Sequence, residues 1–184
     1  MSYNRYFFTL MVLILFTGSM FSQSTDSLIK NIRSKYQSIR SNLKSYDTIS
    51  KEEWEESAEG GEIIGYYGGK DLKFIECVYF GETGRREIEY YFTNRQLFFV
   101  FEKHYTYNRP IYWDEKHMKE FNDSVTFDPK KTIVKEDRYY FHKEKLIRWL
   151  NNEKKEVDLS NGTNINVGKD LVADSYRLRD KIKK

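Results

Sequence analysis

The sequence has little of the residues that cross-link or interrupt a chain. Its 184 residues include one cysteine and two prolines. Because Cys77 has no second thiol to pair with, we expect no disulfide within the chain and a fold stabilised by packing alone. Cys77 lies in the apolar run LKFIECVYF, which predicts a small buried side chain rather than a reactive thiol.

Motifs that carry chemistry are also missing. The sequence has no GxSxG, HExxH or CxxC motif and no glycine-rich phosphate loop. One histidine beside two acids, in Asp114, Glu115 and His117, is weak support for a metal site. Carboxylate pairs are uninformative, because 28 acidic residues would supply a close pair in almost any fold. We therefore expect no cofactor and no metal.

The charges argue against a polyanionic partner. The formal net charge is +3, and segments such as KEEWEE and KKEVD interleave both signs. Only DKIKK near the end is markedly basic. Nucleic-acid binding needs a basic stripe with aromatic residues at the spacing of a known module, and the sequence has none. We therefore exclude nucleic acid as a partner.

Residues 1–22 have the pattern of a secretory signal. Arg5 precedes an apolar run of eleven residues, Tyr6 to Phe16, and the residues TGSMFS lead to Gln23. The run is too short to span a bilayer, which takes about 20 residues. The alternative is an uncleaved membrane anchor. We expect a periplasmic or secreted protein whose mature chain, residues 23–184, is a single domain without a transmembrane segment.

An amphipathic pattern follows the signal and predicts a helix over about residues 25–46. Its apolar residues recur at helical spacing: Leu28, Ile32, Tyr36, Ile39, Leu43 and Tyr46. The opposite face is basic and carries Lys30, Arg33, Lys35, Arg40 and Lys44. A basic amphipathic helix can lie on an anionic membrane. We expect this one to cover the sheet that follows.

Three segments repeat one pattern of two aromatic residues, four polar or glycine residues and a leucine. They are Tyr66-Tyr67-GGKD-Leu72, Tyr91-Phe92-TNRQ-Leu97 and Tyr140-Phe141-HKEK-Leu146. The pattern is typical of a β-hairpin. With GETG at 81–84 as a further tight turn, it predicts an antiparallel β-meander of about six strands over residues 62–151.

A two-residue turn at Asn94 and Arg95 predicts the pairing within the second hairpin. The predicted pairs are Phe92 with Leu97, Tyr90 with Phe99 and Ile88 with Phe101. The same construction in the third hairpin pairs Tyr139 with Arg148 and Arg138 with Trp149. This register gives the sheet one continuously apolar face and one mixed face, so most rings of residues 85–104 would be core.

A short helix is predicted to close the chain over about residues 169–183, after a turn at Asn161 and Gly162. Leu171, Leu178 and Ile182 share one face of it. The order helix, meander, helix predicts an α+β fold.

The hairpin spacing breaks between the second and third copies. Residues 104–131 contain both prolines, which favours a long loop, about 108–131, over a degenerate fourth hairpin at Tyr112 to Met118. Long loops are disproportionately functional, and tyrosine, tryptophan and arginine are enriched at interaction hot spots. The predicted binding residues are Tyr105, Tyr107, Arg109, Tyr112, Trp113, Asp114 and His117. The alternative is that these rings fold back onto the sheet edge.

The quoted motifs also carry a resemblance. GGEIIGYY, YFGETGRREIEYYF, YNRPIYWDE and EDRYYF, behind a signal and a helix, resemble uncharacterised small secreted proteins of Gram-negative bacteria with repeated Tyr-Tyr-Phe-x4-Leu β-hairpins. The hairpins are more loosely similar to bacterial proteins with repeated Tyr-Tyr-x-x-Asn-Gly-x-Leu hairpins. The resemblance implies secretion and a β-meander, and it supplies no activity and no functional residue.

Two classes of function fit these features. The first is an exported non-enzymatic binding or interaction protein of the cell envelope, which presents the aromatic loop to an envelope protein or glycan. The alternative is a hydrolase of envelope glycan or peptide, which would use acids and a histidine of residues 104–131. A deep pocket in which His104 or His117 meets a carboxylate would favour the hydrolase.

The signal pattern generates the first testable prediction. The mature protein begins near Gln23 and is recovered from the periplasm or the medium. N-terminal sequencing of the purified protein checks this. Recovery of Met1 from a membrane fraction would contradict it.

Overall fold

The computed structural model describes residues 25–183, and the expected signal at residues 1–22 lies outside them. Residues 25–41 are helical and are called α1. The remaining elements are a 3-10 turn at Leu43–Ser45, β1 (Asp47–Glu53), β2 (Gly61–Gly68), β3 (Asp71–Gly81), β4 (Gly84–Thr93), β5 (Gln96–Thr106), α2 (Glu115–Glu120), a 3-10 turn at Pro129–Lys131, β6 (Ile133–His142), β7 (Lys145–Leu150) and α3 (Gly162–Lys181).

The strands form one seven-stranded sheet in chain order, with every neighbouring pair antiparallel. The antiparallel meander is therefore confirmed, but it has seven strands instead of about six. The additional strand is β1, of sequence DTISKEE, in which only Glu53 is buried. An exposed edge strand has no apolar alternation, and the sequence therefore does not reveal it.

The C-terminal helix is also confirmed, and it begins earlier than predicted. The Asn161 side chain accepts a hydrogen bond from the backbone N–H of Thr163 at 3.0 Å, so the predicted turn is the helix N-cap. Leu171, Leu178 and Ile182 are buried against the sheet, as their spacing predicts.

Two of the repeated hairpins turn on residues with positive φ. Asn94 and Arg95 have φ of 50° and 66°, and Lys143 and Glu144 have 49° and 60°. Positive φ at both central residues is the type I′ pattern, whose twist matches that of the flanking strands. The predicted two-residue turn at Asn94 and Arg95 is confirmed.

Each repeated hairpin also contains a one-residue bulge next to its leucine. In each hairpin the leucine is paired across the ladder, the next residue is skipped, and pairing resumes one residue later. The skipped residues are Lys73, Phe98 and Ile147. A bulge inserts one residue into one strand and changes which face the following side chains take. The repeated motif therefore encodes a turn together with a bulge.

The bulge makes the predicted register wrong beyond Phe92 and Leu97. Phe99 pairs with Tyr91, Tyr90 with Val100 and Ile88 with Glu102. In the third hairpin, Tyr139 pairs with Trp149 and Arg138 with Leu150. The predicted pairs are symmetric about the turn, and the extra residue at Phe98 or Ile147 breaks that symmetry.

Both faces of the central strands are consequently core, instead of one apolar and one mixed face. Tyr90 belongs to a cluster that α3 covers, and its neighbour Tyr91 belongs to a second cluster that α1 covers, and both rings are fully buried. Phe99 lies with Tyr91 in the second cluster. The dense rings of residues 85–104 therefore fill two cores, one on each side of a single sheet.

Helix α1 packs on the second face of the sheet through apolar side chains and through one ion pair. Ile29, Ile32 and Ile39 are buried in the cluster. The guanidinium of Arg40, which belongs to the basic face of the helix, reaches the carboxylate of Glu89 at 3.1 Å. Glu89 is only 8% exposed, and burial raises its pKa. The ion pair therefore compensates a charge that the sheet has buried.

Phe99 tests the second core. Its ring lies 5.0 Å from that of Tyr140 and 5.2 Å from that of Tyr36, centroid to centroid. We expect Phe99→Ala to lower the free energy of unfolding by about 3–5 kcal/mol, which corresponds to a fall of roughly 6–20 °C in melting temperature. Phe80→Ala is the matched control, because Phe80 is 47% exposed. Equal melting of the two variants would contradict the assigned core.

Candidate functional site

The long connection between β5 and β6, residues 107–132, is called the aromatic loop. It lies at the end of the sheet that carries the β3–β4 turn. The backbone N–H of Tyr107 donates to the carbonyl of Thr83 at 2.9 Å. The hydroxyl of Tyr112 donates to the carboxylate of Glu82. The loop is thus attached to the sheet by both main-chain and side-chain hydrogen bonds.

Hydrogen bonds within the loop close it into a unit. The Asn108 side chain donates to the carbonyl of Thr126 and accepts from the N–H of Asp128, both at 2.9 Å. The carbonyl of Trp113 accepts from the N–H of Phe127 at 2.8 Å. Compact surface loops held by their own contacts in this way are frequently functional.

An ion pair between Arg109 and Asp123 fixes the two halves of the loop. The Arg109 Nε and Nη2 atoms donate to the two carboxylate oxygens at 2.6 and 3.0 Å, and the N–H of Ser124 adds a bond of 2.7 Å. The guanidinium holds the pKa of Asp123 well below its usual range. Two parallel bonds restrict orientation more than one does, so this pair sets the geometry of the loop.

Asp114 and His117 are engaged with each other at the start of α2. The Asp114 carboxylate accepts from the His117 N–H at 3.0 Å, and its Oδ1 atom lies 2.8 Å from His117 Nδ1. The backbone bond is the main reason that the pKa of Asp114 is lowered. Asp114 is the N-cap of the short helix α2, and Phe121 is its C-cap.

The rings of the loop divide into inner and outer sets. Trp113 is half-buried, with its ring centroid 5.1 Å from Phe121 and 5.7 Å from His117. Three large side chains remain on the outside: Ile111 is 61% exposed, Tyr112 49% and Phe121 61%. We call Ile111, Tyr112 and Phe121 the loop patch. The ring of Trp113 lies 6.3 Å from that of Tyr112 and 5.1 Å from that of Phe121, centroid to centroid.

The seven sequence-predicted residues thus fall in three places. Tyr112, Trp113, Asp114 and His117 come together at the patch, and Tyr107 and Arg109 lie in the base of the loop. Tyr105 belongs to β5, where its ring lies 4.1 Å below the guanidinium of Arg85 and its hydroxyl donates to Glu87. The patch residues that sequence reasoning missed are Ile111 and Phe121. Phe121 is an isolated apolar residue in the polar segment KEFND, and Ile111 directly precedes Tyr112 and Trp113. Neither position distinguishes an exposed apolar side chain from a buried one.

A second group of polar side chains surrounds Glu102 on β5. This carboxylate is 6% exposed and accepts from Arg86 Nε at 2.5 Å and from the Tyr139 hydroxyl at 3.1 Å, while His104 Nε2 lies 2.7 Å away. His104 and Arg86 also line a depression of about 390 Å³. His104 meets a carboxylate, as the hydrolase alternative requires, but the depression is open rather than deep.

The structure accounts for the remaining reactive residue in the described part of the chain. Cys77 is fully buried, and burial raises the pKa of its thiol to about 12. A protonated, inaccessible thiol is a packing residue. Among residues 25–183, no group of three or more His, Cys, Asp or Glu side chains is arranged to hold a metal ion. No helix in that same range is both long and apolar enough to cross a membrane.

Comparisons with known proteins identify no relative of this chain. The chain matches no protein-family model, no curated protein and no solved structure at a significant level.

Proposed function

We propose that this chain is an exported, non-enzymatic binding protein of the cell envelope that presents the loop patch to a protein partner. The observation that carries the proposal is the combination of three exposed apolar side chains with a loop closed by its own hydrogen bonds. Exposed apolar side chains grouped on one loop typically mark an interaction site.

The bonding of the loop supports binding in a second way. A disordered loop loses conformational freedom when a partner orders it, and that loss weakens association. Here Arg109, Asp123 and Asn108 already hold the loop in one arrangement. The loop patch therefore binds a partner with little loss of conformational entropy.

The chemistry of the patch favours a protein over a glycan. Ile111 and Phe121 offer only apolar surface, and the hydroxyl of Tyr112 is already donated to Glu82. Glycan recognition needs free hydrogen-bonding groups beside the ring. The exposed charged residues Glu115 and Lys119 on α2 provide the polar rim that surrounds an apolar centre in protein interfaces.

Two contacts between a histidine and a carboxylate support the hydrolase alternative, that of His104 with Glu102 and that of His117 with Asp114. A general base needs an orienting carboxylate, and Glu102 supplies one. However, Glu102 already accepts from Arg86 and Tyr139, and the acids of the loop lie on a different element. We therefore favour binding.

The double variant Ile111→Ala with Tyr112→Ala tests the patch. With a partner captured from periplasmic extract and then purified, we expect affinity to fall at least 30-fold, or about 2 kcal/mol, with little change in melting temperature. The matched control is Ile165→Ala with Tyr176→Ala, because Tyr176 also donates to a carboxylate, that of Glu144, and Ile165 is 44% exposed. The control should bind normally.

Two further results bear on the same experiment. Arg109→Gln leaves the patch unchanged but loosens the loop, so it should weaken binding and speed hydrogen exchange at Ser124 and Val125, whose amides donate to Asp123. A large fall in melting temperature for the patch variant would instead assign these rings to the fold. Cleavage of peptidoglycan fragments that His104→Gln abolishes would favour the hydrolase.

A further inference from the structure

A cavity of about 450 Å³ lies at the end of the sheet opposite the aromatic loop. Strand β4 runs from the loop end at Gly84 to the cavity end at Thr93, a distance of about 30 Å at the usual rise per residue. The cavity is lined by α1, by the β2–β3 and β4–β5 hairpins and by the C-terminal end of α3. It is therefore separate from the loop patch.

The lining of this cavity is strongly basic. Six cationic side chains face it: Lys35, Lys70, Lys73, Arg95, Arg179 and Lys183. Asp71, the single carboxylate among the lining residues, pairs with Lys73 at 3.5 Å, and Lys183 pairs with Asp180 at 2.5 Å. Six cations and these two carboxylates leave a net charge of +4 at the cavity. The whole chain carries only +3, which means that the remainder is slightly acidic. The positive charge is thus concentrated at one place by the fold.

The dipole of α3 explains only part of this concentration of positive charge. Cations near the end of α3, such as Arg179 and Lys183, complement the negative end of the helix dipole. Lys70, Lys73 and Arg95 belong to two hairpins, which have no such dipole. Arg95 also occupies a left-handed position with φ of 66°, where glycine is the easier choice. Neither the turn nor the helix accounts for an arginine at this position.

Several of the cations are held in place by the fold. Arg179 Nη1 donates to the carbonyl of Arg95 at 2.8 Å, and its guanidinium lies 5.7 Å from the ring centre of Phe92. Lys35 Nζ lies 5.8 Å from the ring centre of Phe98. Phe98 and Tyr46 also line the cavity and give it an aromatic wall. The site combines fixed positive charge with an apolar surface.

We propose that this cavity binds a small molecule that carries phosphate groups. A volume of about 450 Å³ lies within the range of ligand sites, roughly 300–1,000 Å³. A phosphate group carries up to two negative charges. Two phosphate groups therefore balance the positive charge of the lining better than two carboxylates do. Lysine binds phosphate as a point charge, and arginine binds it through paired donors. The body of the ligand packs on Phe98 and Tyr46.

Titration of the full mature chain with inorganic pyrophosphate tests the proposal. We expect saturable binding by calorimetry and a rise in melting temperature with ligand concentration, because a ligand that binds only the folded state stabilises it. Sulfate at equal ionic strength is the reference. Vesicles of phosphatidylglycerol form a second arm, and binding to vesicles alone would identify a lipid headgroup as the source of the phosphate.

The double variant Lys70→Gln with Arg95→Gln removes two exposed cations of the hairpin turns. We expect it to weaken pyrophosphate binding at least tenfold and to melt like the wild type. Lys130→Gln with Lys131→Gln is the control, because it makes the same charge change at an exposed 3-10 turn outside the cavity lining. The proposal is overturned if neither phosphate probe binds, if sulfate binds equally well, or if both double variants lose the same affinity.

Discussion

The one-residue bulge beside the leucine of each repeated hairpin is the constraint on which the rest of the fold depends. At Leu97 it leaves Phe98 outside the ladder and places Phe99 opposite Tyr91. Because one extra residue exchanges the faces of the sheet, Tyr90 and Phe99 enter different cores. A sheet with two apolar faces needs a cover on each, and α1 and α3 provide the covers.

The two proposed sites lie at the two ends of the sheet. Both faces of the central strands are packed with buried rings. At one end, the long connection from β5 to β6 forms a closed loop with exposed apolar side chains. At the other end, hairpin turns and helix ends bring basic residues around a cavity. Each of the two proposed sites can fail without the other.

The sequence was sufficient for the features that local patterns encode. Aromatic pairs followed by a polar tetrapeptide and leucine mark the hairpins, and Leu171, Leu178 and Ile182 mark the C-terminal helix. The bulges were not visible, because LFFVF is apolar in either register. Local patterns do not indicate strand β1, because most of its side chains face solvent. Asn161 and Gly162 predict a turn, whereas Asn161 is the N-cap of α3.

The candidate sites were less predictable than the fold. The loop was visible as a break in the repeat, but the separation of Tyr105 from Tyr112 depends on where β5 ends. Ile111 and Phe121 are both 61% exposed, and the ring of Phe121 lies against the half-buried ring of Trp113, which no local pattern indicates. The basic cavity joins Lys35 to Lys183 across almost the whole chain, so no local pattern could indicate it.

The register of β4 and β5 is the most direct test of this account, and nuclear Overhauser effects in the isotope-labelled protein measure it. The bulge predicts cross-strand effects between Tyr91 and Phe99 and between Tyr90 and Val100. Effects between Tyr90 and Phe99 would show a hairpin without the bulge. That result would place Phe99 on the same face as Tyr90 and contradict its assignment to the core that α1 covers.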